Sequence, residues 1–380
     1  IITELDEMAD YMRKYTPGAN YAYALNEGIE VLKKDKTNTG ISEAVECLVL
    51  LLSQNYFQKG RRASWHCELA LMMERWKKFD EVFLTLKQGL LEASLTPLGK
   101  LMLAQRCEIL LKRKQGLTVP QKTELAQLSE IKPYRFSTNT IPAKAMPNVA
   151  TNKKQMWTKV TDTGRTYMGV EEVVRQYYMS AEGGAYTEGY HDEGRIIISL
   201  ALCVFWKIIY VPLEGMFHVR LQDRPLDWGS SAFYRNRVKL IHNHIQHLLN
   251  NGINGVMEEI TDVCTKHTGT LSMISWDLIK LEQLPEIKKF LECVGIEPFL
   301  KFCDYLLQAY KERSSGLPDL TLWDVKKNKC LFVEVKGPSD KLSPKQIIWL
   351  QILNEVGIES EVCHVHTLHT GKREISNETE

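Results

Sequence analysis

Two acids and one lysine stand where a phosphodiester-cutting site would need them. Asp319 follows Pro318, and Glu334-Val335-Lys336 lies downstream. Leu320-Thr-Leu-Trp-Asp324 and Cys330-Leu-Phe-Val-Glu334-Val are rich in aliphatic, aromatic and β-branched residues, with a polar break over 324–329. That pattern predicts a β-hairpin. Asp319 and Glu334 are equally far from its midpoint near Lys326 and Lys327, so pairing sets them side by side. Alternation along a strand sends Glu334 and Lys336 to one face and Val333 and Val335 to the other. Two carboxylates can hold a divalent cation through oxygen ligands, and the lysine can orient a water or steady a phosphate. The bland alternative is a hairpin edge with a solvated charged face. Gly316 and Pro318 define an entry into Asp319, and Gly337-Pro338 turns the chain away straight after Lys336. Both weigh against that alternative.

The next segment must position this hairpin. Ser343 reads as an N-cap with Pro344 at the first helical position, and Gly357 as the stop. Ile347, Leu350, Leu353 and Val356 form an apolar stripe at helical spacing. Residues 359–365 then read as a strand. Lys345 and Gln346 fall in the first helical turn, near the strand end that carries Lys336, and a helix N-terminus favours anions.

Pro318-Asp319, Glu334-Val-Lys336 and the helix that carries Gln346 resemble the PD-(D/E)xK nuclease core, in its VRR-NUC branch. The strings Gly316-Leu-Pro-Asp-Leu320, Val333-Glu-Val-Lys-Gly-Pro338 and Leu342-Ser-Pro-Lys-Gln-Ile-Ile-Trp-Leu350 resemble the Fanconi-associated nuclease family. Upstream, Gly189-Tyr-His-Asp-Glu193-Gly194 is similar to that family's Gly-x-His-x-Glu-Gly motif, and the likeness extends over most of 60–366, including Ser275-Trp-Asp277.

The resemblance implies a site. Glu193, Asp319 and Glu334 would be carboxylate metal ligands, joined by the backbone carbonyl of Val335. Lys336 and Gln346 would complete the catalytic set. Oxygen-only ligation with open positions suits one or two Mg²⁺ or Mn²⁺ ions. A DNA 5′-phosphate pocket would be built by Arg61 or Arg62, Lys311 and Lys345. Well-matched members carry arginine where this chain has Lys311, and lysine lacks the planar bidentate fork. The implied function is a structure-selective DNA nuclease, a 5′-flap endonuclease and 5′-to-3′ exonuclease acting on branched or 5′-flap DNA in interstrand cross-link repair, in the nucleus. Two other readings stand beside it: a junction-resolving nuclease of the same fold, and a helical-repeat adaptor with an inert nuclease-like domain. The chain opens Ile-Ile-Thr without Met or a signal-like segment. It reads as a piece of a longer protein, whose further N-terminal region would serve recruitment by a repair complex.

Composition sets outer bounds. At 380 residues the chain suggests two or three domains, and 44% hydrophobic residues suffice for packed cores. Net charge is +1, so any nucleic-acid contact must come from local patches. Residues 311–350 carry eight Lys/Arg against five Asp/Glu, and two of those acids are Asp319 and Glu334. Nine cysteines, without a CxxC and mostly among apolar neighbours, predict reduced thiols in an intracellular protein. Ile196–Trp206 is apolar but only 11 residues before Lys207. A membrane span needs about 18 or more, so a buried helix is expected and no membrane association.

The fold class expected is α/β, mostly α overall: a TPR-like helical repeat region and a restriction-endonuclease-like core with a helical insertion. Residues 1–130 carry apolar positions at three- and four-residue steps, with Ile41 and Phe79 at matching places. Residues 131–165 read as an irregular connector, stranded at most over 135–140. The nuclease domain is expected over 166–366, with the insertion at about 212–310, and a polar tail over 367–380. Glu193 is read as lying in the first turn of the helix that follows it. Alone, that would make it a helix-start acid favoured by the macrodipole. His191 reads as a turn histidine. His242, His244 and His247 do not share a helical face, so a solvated face is expected rather than zinc. Asp262 and Asp277 carry no signal.

Overall fold

Threonines stand at the N-caps of four of the first seven helices. The computed structural model describes residues 2–35, 37–145, 157–161, 164–219 and 221–368. Seven helices come first: α1 (Ile2–Glu7), α2 (Pro17–Leu32), α3 (Asn38–Ser53), α4 (Arg62–Arg75), α5 (Phe79–Leu90), α6 (Pro97–Leu111) and α7 (Val119–Leu128). Thr37 and Thr96 accept backbone N–H groups at the starts of α3 and α6, and Thr118 forms a capping box with Gln121 at α7. Leu48, Leu51, Trp65 and Leu69 form one core of this region, and Val82, Leu86, Leu103 and Cys107 another. The helical repeat region expected from the periodicity is present.

The remainder is built on a sheet. In chain order it contains β1 (Ser137–Ala145), β2 (Trp157–Thr161), β3 (Gly164–Met168), α8 (Val170–Met179), β4 (Glu188–His191), α9 (Arg195–Val204), α10 (Trp206–Ile209), α11 (Ser231–His267), α12 (Leu284–Val294), α13 (Ile296–Gln308), α14 (Tyr310–Arg313), β5 (Leu320–Asp324), β6 (Lys329–Lys336), α15 (Pro344–Val356) and β7 (Glu359–Thr367). The sheet order is β3-β2-β1-β7-β6-β5-β4. β5 and β6 form the antiparallel hairpin, β6 and β7 run parallel across α15, and β4 closes the edge beside β5.

The segment read as a connector differs from expectation. Its residues 137–145 form β1, paired in parallel with β7 over seven positions, and β2 and β3 extend the sheet beyond it. Pro142 and the polar residues hid the strand, because within β1, over 137–144, only Ile141 is buried in the core while Pro142 and Lys144 are exposed. Thr367 ends β7, and the expected tail beyond Leu368 lies outside the described residues.

Both faces of the central strands are covered, and alternation decides which. Leu320, Leu322, Val333 and Val335 pack with Val174 and Tyr178 of α8. Trp323, Cys330 and Phe332 pack on the opposite side with α9, α11, α12, α13 and α15. Glu334 and Lys336 belong to that second face by period, which turns them toward α15. The apolar run after Arg195 is a buried helix, α9. Among the described residues no helix is long and apolar enough to cross a membrane. All nine cysteines carry free thiols, seven of them buried, so no disulfide frames the fold.

Candidate active site

The hairpin register pairs Leu320 with Val333, which brings Asp319 opposite Glu334 as the residue count predicted. The turn between the strands is held by Asp324, whose Oδ1 accepts the N–H groups of Lys326 and Lys327. Asn328 completes it at φ +49°, a left-handed position that asparagine tolerates better than most residues.

Asp319 Oδ2 accepts the Val335 N–H at 2.8 Å, so its side chain reaches across to β6. Glu334 is 1% exposed and Lys336 8% exposed. The Lys336 ammonium lies 2.9 Å from Glu334 Oε1. It also donates to Gln346 Oε1 at 3.1 Å, while the Gln346 amide donates to Glu334 Oε1 at 2.5 Å. Gln346 reaches this position because Ser343 and Gln346 form a capping box at the start of α15, with Pro344 at its first position. The cap therefore joins α15 to β6.

Burial raises the pKa of both carboxyls. Glu334 is pushed up to about 8, first by desolvation and then by the charge of Asp319, with Lys336 pulling the other way. Asp319 is raised by burial, partly offset by the Val335 N–H and Lys336. Glu334 Oε2 is buried without a hydrogen-bond partner. An unsatisfied buried carboxylate oxygen is costly unless a charge compensates it. Two desolvated carboxylates with one orphaned oxygen form a donor set that fits a hard divalent cation.

The third acid stands differently from expectation. Glu193 is outside α9, whose N-cap is Gly194. It occupies a turn at φ +51°, and its side chain is 71% exposed, with Oε1 3.8 Å from His191 Nε2. The helix-start role belongs to Asp192 instead, which accepts the Ile196 N–H at 2.9 Å and the Thr321 hydroxyl at 2.6 Å. The backbone still places Glu193 at the site, because its N–H donates to the Asp319 carbonyl at 3.2 Å. Among the described residues no three His, Cys, Asp or Glu side chains gather closely enough to hold an ion as they stand.

Glu171 lies in the first turn of α8, outside the motifs that the sequence singles out. Its charge acts on Asp319, raising its pKa. The signal available in sequence was two adjacent acids, Glu171 and Glu172, at the start of that helix. Glu172 pairs with Arg175, and it is the charge of Glu171 that reaches Asp319. The three histidines of α11 meet different partners. His244 bonds the Val204 carbonyl from a half-buried position rather than a solvated face, while His242 meets Tyr234 and His247 meets Asn251. Asp262 pairs with lysines and Asp277 with Arg195.

The basic residues also divide. Arg62 is buried and committed: it binds Glu92 through Nε and Nη2 and the Gln54 carbonyl through Nη1. It is not available to a phosphate. Arg61 is exposed, in a turn where Gly60 abuts the carboxylate of Glu312 on α14. Lys311 is exposed on the same helix. The Lys345 ammonium donates to Ser315 Oγ at 2.9 Å, just beyond α14. Lys311 thus lies in the Tyr310–Ser315 segment, Lys345 bonds it, and the residue before Arg61 abuts it.

Comparison with known proteins bears on this arrangement. Residues 255–367 match the VRR-NUC domain, and residues 2–111 match the Fanconi-associated nuclease 1, TPR domain. A Fanconi-associated nuclease 1 homolog of Schizosaccharomyces pombe is 29% identical over 370 residues, covering 94% of this chain and 50% of the relative. The Fanconi-associated nuclease 1 of Mus musculus is 27% identical over 366 residues, covering 95% of this chain and 35% of the relative. The chain therefore spans half or less of the length of these relatives. The crystal structure of paFAN1 bound to 2nt 5′flap DNA with gap superposes with a TM-score of 0.63 at 19% identity, over 91% of this chain and 55% of that one, a likeness of fold. With a helical repeat and a nuclease core matched in the same order along one chain, the protein belongs to the Fanconi-associated nuclease family.

Proposed function

We propose that this chain is a divalent-metal-dependent, structure-selective DNA nuclease. The observation that carries the reading is the buried Asp319–Glu334 pair, its orphaned Glu334 Oε2 and the Lys336–Gln346 clamp on Oε1. Asp319 and Glu334 would hold the cation. Glu171 and Glu193 are the carboxylates nearest in fold to supply a third ligand, and the Val335 carbonyl a fourth. Mg²⁺ or Mn²⁺ would, when bound, supply positive charge to activate water and to offset charge on the phosphate.

The protein's own residues do the rest. Gln346 and Glu334 fix the Lys336 ammonium at the mouth of the pair. From there it can hold a water or a non-bridging phosphate oxygen in line with the scissile bond. The half-exposed Asp319 keeps one side of the site open to substrate. Hydrolysis would leave a 5′-phosphate and a 3′-hydroxyl.

The substrate proposed is branched or 5′-flap DNA, cut as a 5′-flap endonuclease and 5′-to-3′ exonuclease in interstrand cross-link repair, in the nucleus. Support comes from the family and from the related paFAN1 structure bound to 5′flap DNA. Arg61, Lys311 and Lys345 would receive a terminal 5′-phosphate. Recruitment by a repair complex would use parts of the protein beyond this chain. We further propose that the nuclease unit starts at β1 rather than at 166, since β1 pairs with β7.

A panel of 5′-flap, 3′-flap and four-way-junction DNA, with Mg²⁺, Mn²⁺ and chelator, tests the reading. Metal-dependent cutting of the 5′ flap above the others is expected. Preference for the junction would favour a resolving enzyme, and no cutting with any metal an inert adaptor.

A further inference from the structure

We propose that Arg237 is a positioning residue for Lys311, acting through the loop 227–229; this rests on the reading of Lys311 as part of a 5′-phosphate pocket. Helix α14 is only four residues long, too short to fix its own side chains. Each of its residues is instead pinned from outside. Tyr310 packs against the Trp228 ring at 4.6 Å. Lys311 backs onto Gly229, where an added Cβ would lie 3.1 Å from the lysine Cβ. Glu312 abuts Gly60, and Arg313 lies over the Tyr305 ring at 3.6 Å. Among the described residues no hydrogen bond or ion pair engages the Lys311 ammonium itself. Its stem is fixed and its charge is free.

Two consecutive loop residues, Trp228 and Gly229, therefore meet two consecutive helix residues, Tyr310 and Lys311. The preceding loop residue, Asp227, is where the loop is anchored. Its Oδ2 accepts from Arg237 Nη1 at 2.7 Å and from Asn236 Nδ2 at 3.0 Å, and neither the Asp227 nor the Arg237 side chain is exposed. Arg237 Nε also donates to the Ile208 carbonyl at 3.1 Å, tying the loop to α10. The Asp227 carbonyl accepts from Ser230, which caps α11.

Stability alone accounts poorly for this pair. Asp227 Oδ1 and Arg237 Nη2 are buried without partners. A buried ion pair with unmet hydrogen bonds repays its desolvation badly, and apolar replacement of both members is often neutral or stabilising. What the pair does supply is direction: it fixes where Gly229 presses on Lys311, and so where the ammonium can meet an anion.

The test uses the full chain as wild type, Lys311→Ala, Asp227→Leu/Arg237→Met and Gly229→Ala. Cutting of matched 5′-phosphate and 5′-hydroxyl flaps is measured as kcat and KM, alongside Tm. The expected result is a preference for phosphate that falls about fivefold or more in all three variants, through KM. Loss in Lys311→Ala with wild-type preference in the other two would overturn the positioning role and leave the pocket standing. No preference in the wild type, or none lost in Lys311→Ala, would remove the pocket and the positioning role together. Equal slowing on both substrates in the loop variants would make the pair a fold element only and overturn the proposal. Should the double variant not fold, Gly229→Ala decides: its added Cβ meets the Lys311 Cβ and leaves both side chains of the ion pair intact, and the backbone strain of an alanine at φ +76° is read separately, as a fall in Tm and equal slowing on both substrates.

Discussion

The side-chain amide of Gln346 lies 2.5 Å from Glu334 Oε1, so a residue of the helix-capping box also orients the Glu334 carboxyl. One side chain closes the capping box of α15, accepts from Lys336 and donates to Glu334. Gln346→Ala keeps the Ser343 cap and removes only the reciprocal half of the capping box, so it should cost less than the ~1 kcal/mol of a lost N-cap. It should also lower cutting well beyond that, because Glu334 and Lys336 lose their common partner. Gln346→Glu keeps the cap but places a second carboxyl against Glu334, and should shift the metal requirement. Metal titrations of both variants check this; unchanged metal curves in both would leave Gln346 a cap and nothing more.

Asp319→Ala and Glu334→Ala should each abolish cutting while DNA binding survives, since affinity rests mainly on phosphate contacts elsewhere. The double variant should be no worse than either single one, because the two ligands act as a unit. Binding and cutting measured on the same flap decide it. Loss of binding in a folded Asp319→Ala protein would sink the ligand assignment.

Glu171 and Glu193 are the two candidates for the proposed third ligand. Glu171 acts on Asp319 electrostatically, whereas Glu193 reaches the site through its backbone and turns its side chain outward. Both substitutions to Gln preserve shape. The true ligand should lose activity by orders of magnitude, with partial recovery at high Mn²⁺. Near-normal turnover in either variant removes that residue from the site.

The raised pKa of Glu334 gives a pH signature. Its folded value of about 8 stands above the ordinary 4.5, so the folded metal-free protein binds the extra proton between these limits. Stability from this group is present below about pH 4.5 and is lost as pH rises through about 8. A divalent cation competes with that proton. Mg²⁺ should therefore raise Tm more at pH 8 than at pH 6, and Glu334→Gln should flatten the difference. Thermal scans with and without Mg²⁺ read this directly; an equal Mg²⁺ effect at both pH values in the wild type would contradict it.

Arg61 and Arg62 are neighbours with different tasks. Arg62→Ala takes the buried guanidinium away from Glu92, leaving His66 against it, and should destabilise the protein by about 3 kcal/mol. Arg61→Ala should leave Tm unchanged and reduce selection of 5′-phosphorylated flaps. Lys311→Ala with Lys345→Ala should do the same more strongly and blur cut positions. If all of these slow phosphate and hydroxyl flaps alike, the basic residues supply only general attraction to DNA.

How much of this was legible in the sequence depends on how local the signal was. The hairpin, its register, the Ser343–Pro344–Gln346 start of α15 and the Gly357 stop all follow from residue type and spacing. So does the facing of Glu334 and Lys336, because strand alternation has a fixed period of two. Periodicity likewise gave the N-terminal helices and the buried helix after Arg195. What sequence could not decide was long-range. The strand β1 was hidden because its outer position in the sheet, beside β7, buries few of its residues, leaving little apolar alternation to read. Asp192 and Glu193 are adjacent acids, and only the backbone turn at Glu193 shows which one caps α9 and which faces outward. Arg61 and Arg62 are adjacent too. Glu92, 30 residues from Arg62, decides which is consumed. Spacing fixes what a residue meets within one element; a charge's partner across elements is set by tertiary packing, which alone determined the fate of Glu171, Glu193, Arg62 and Arg237.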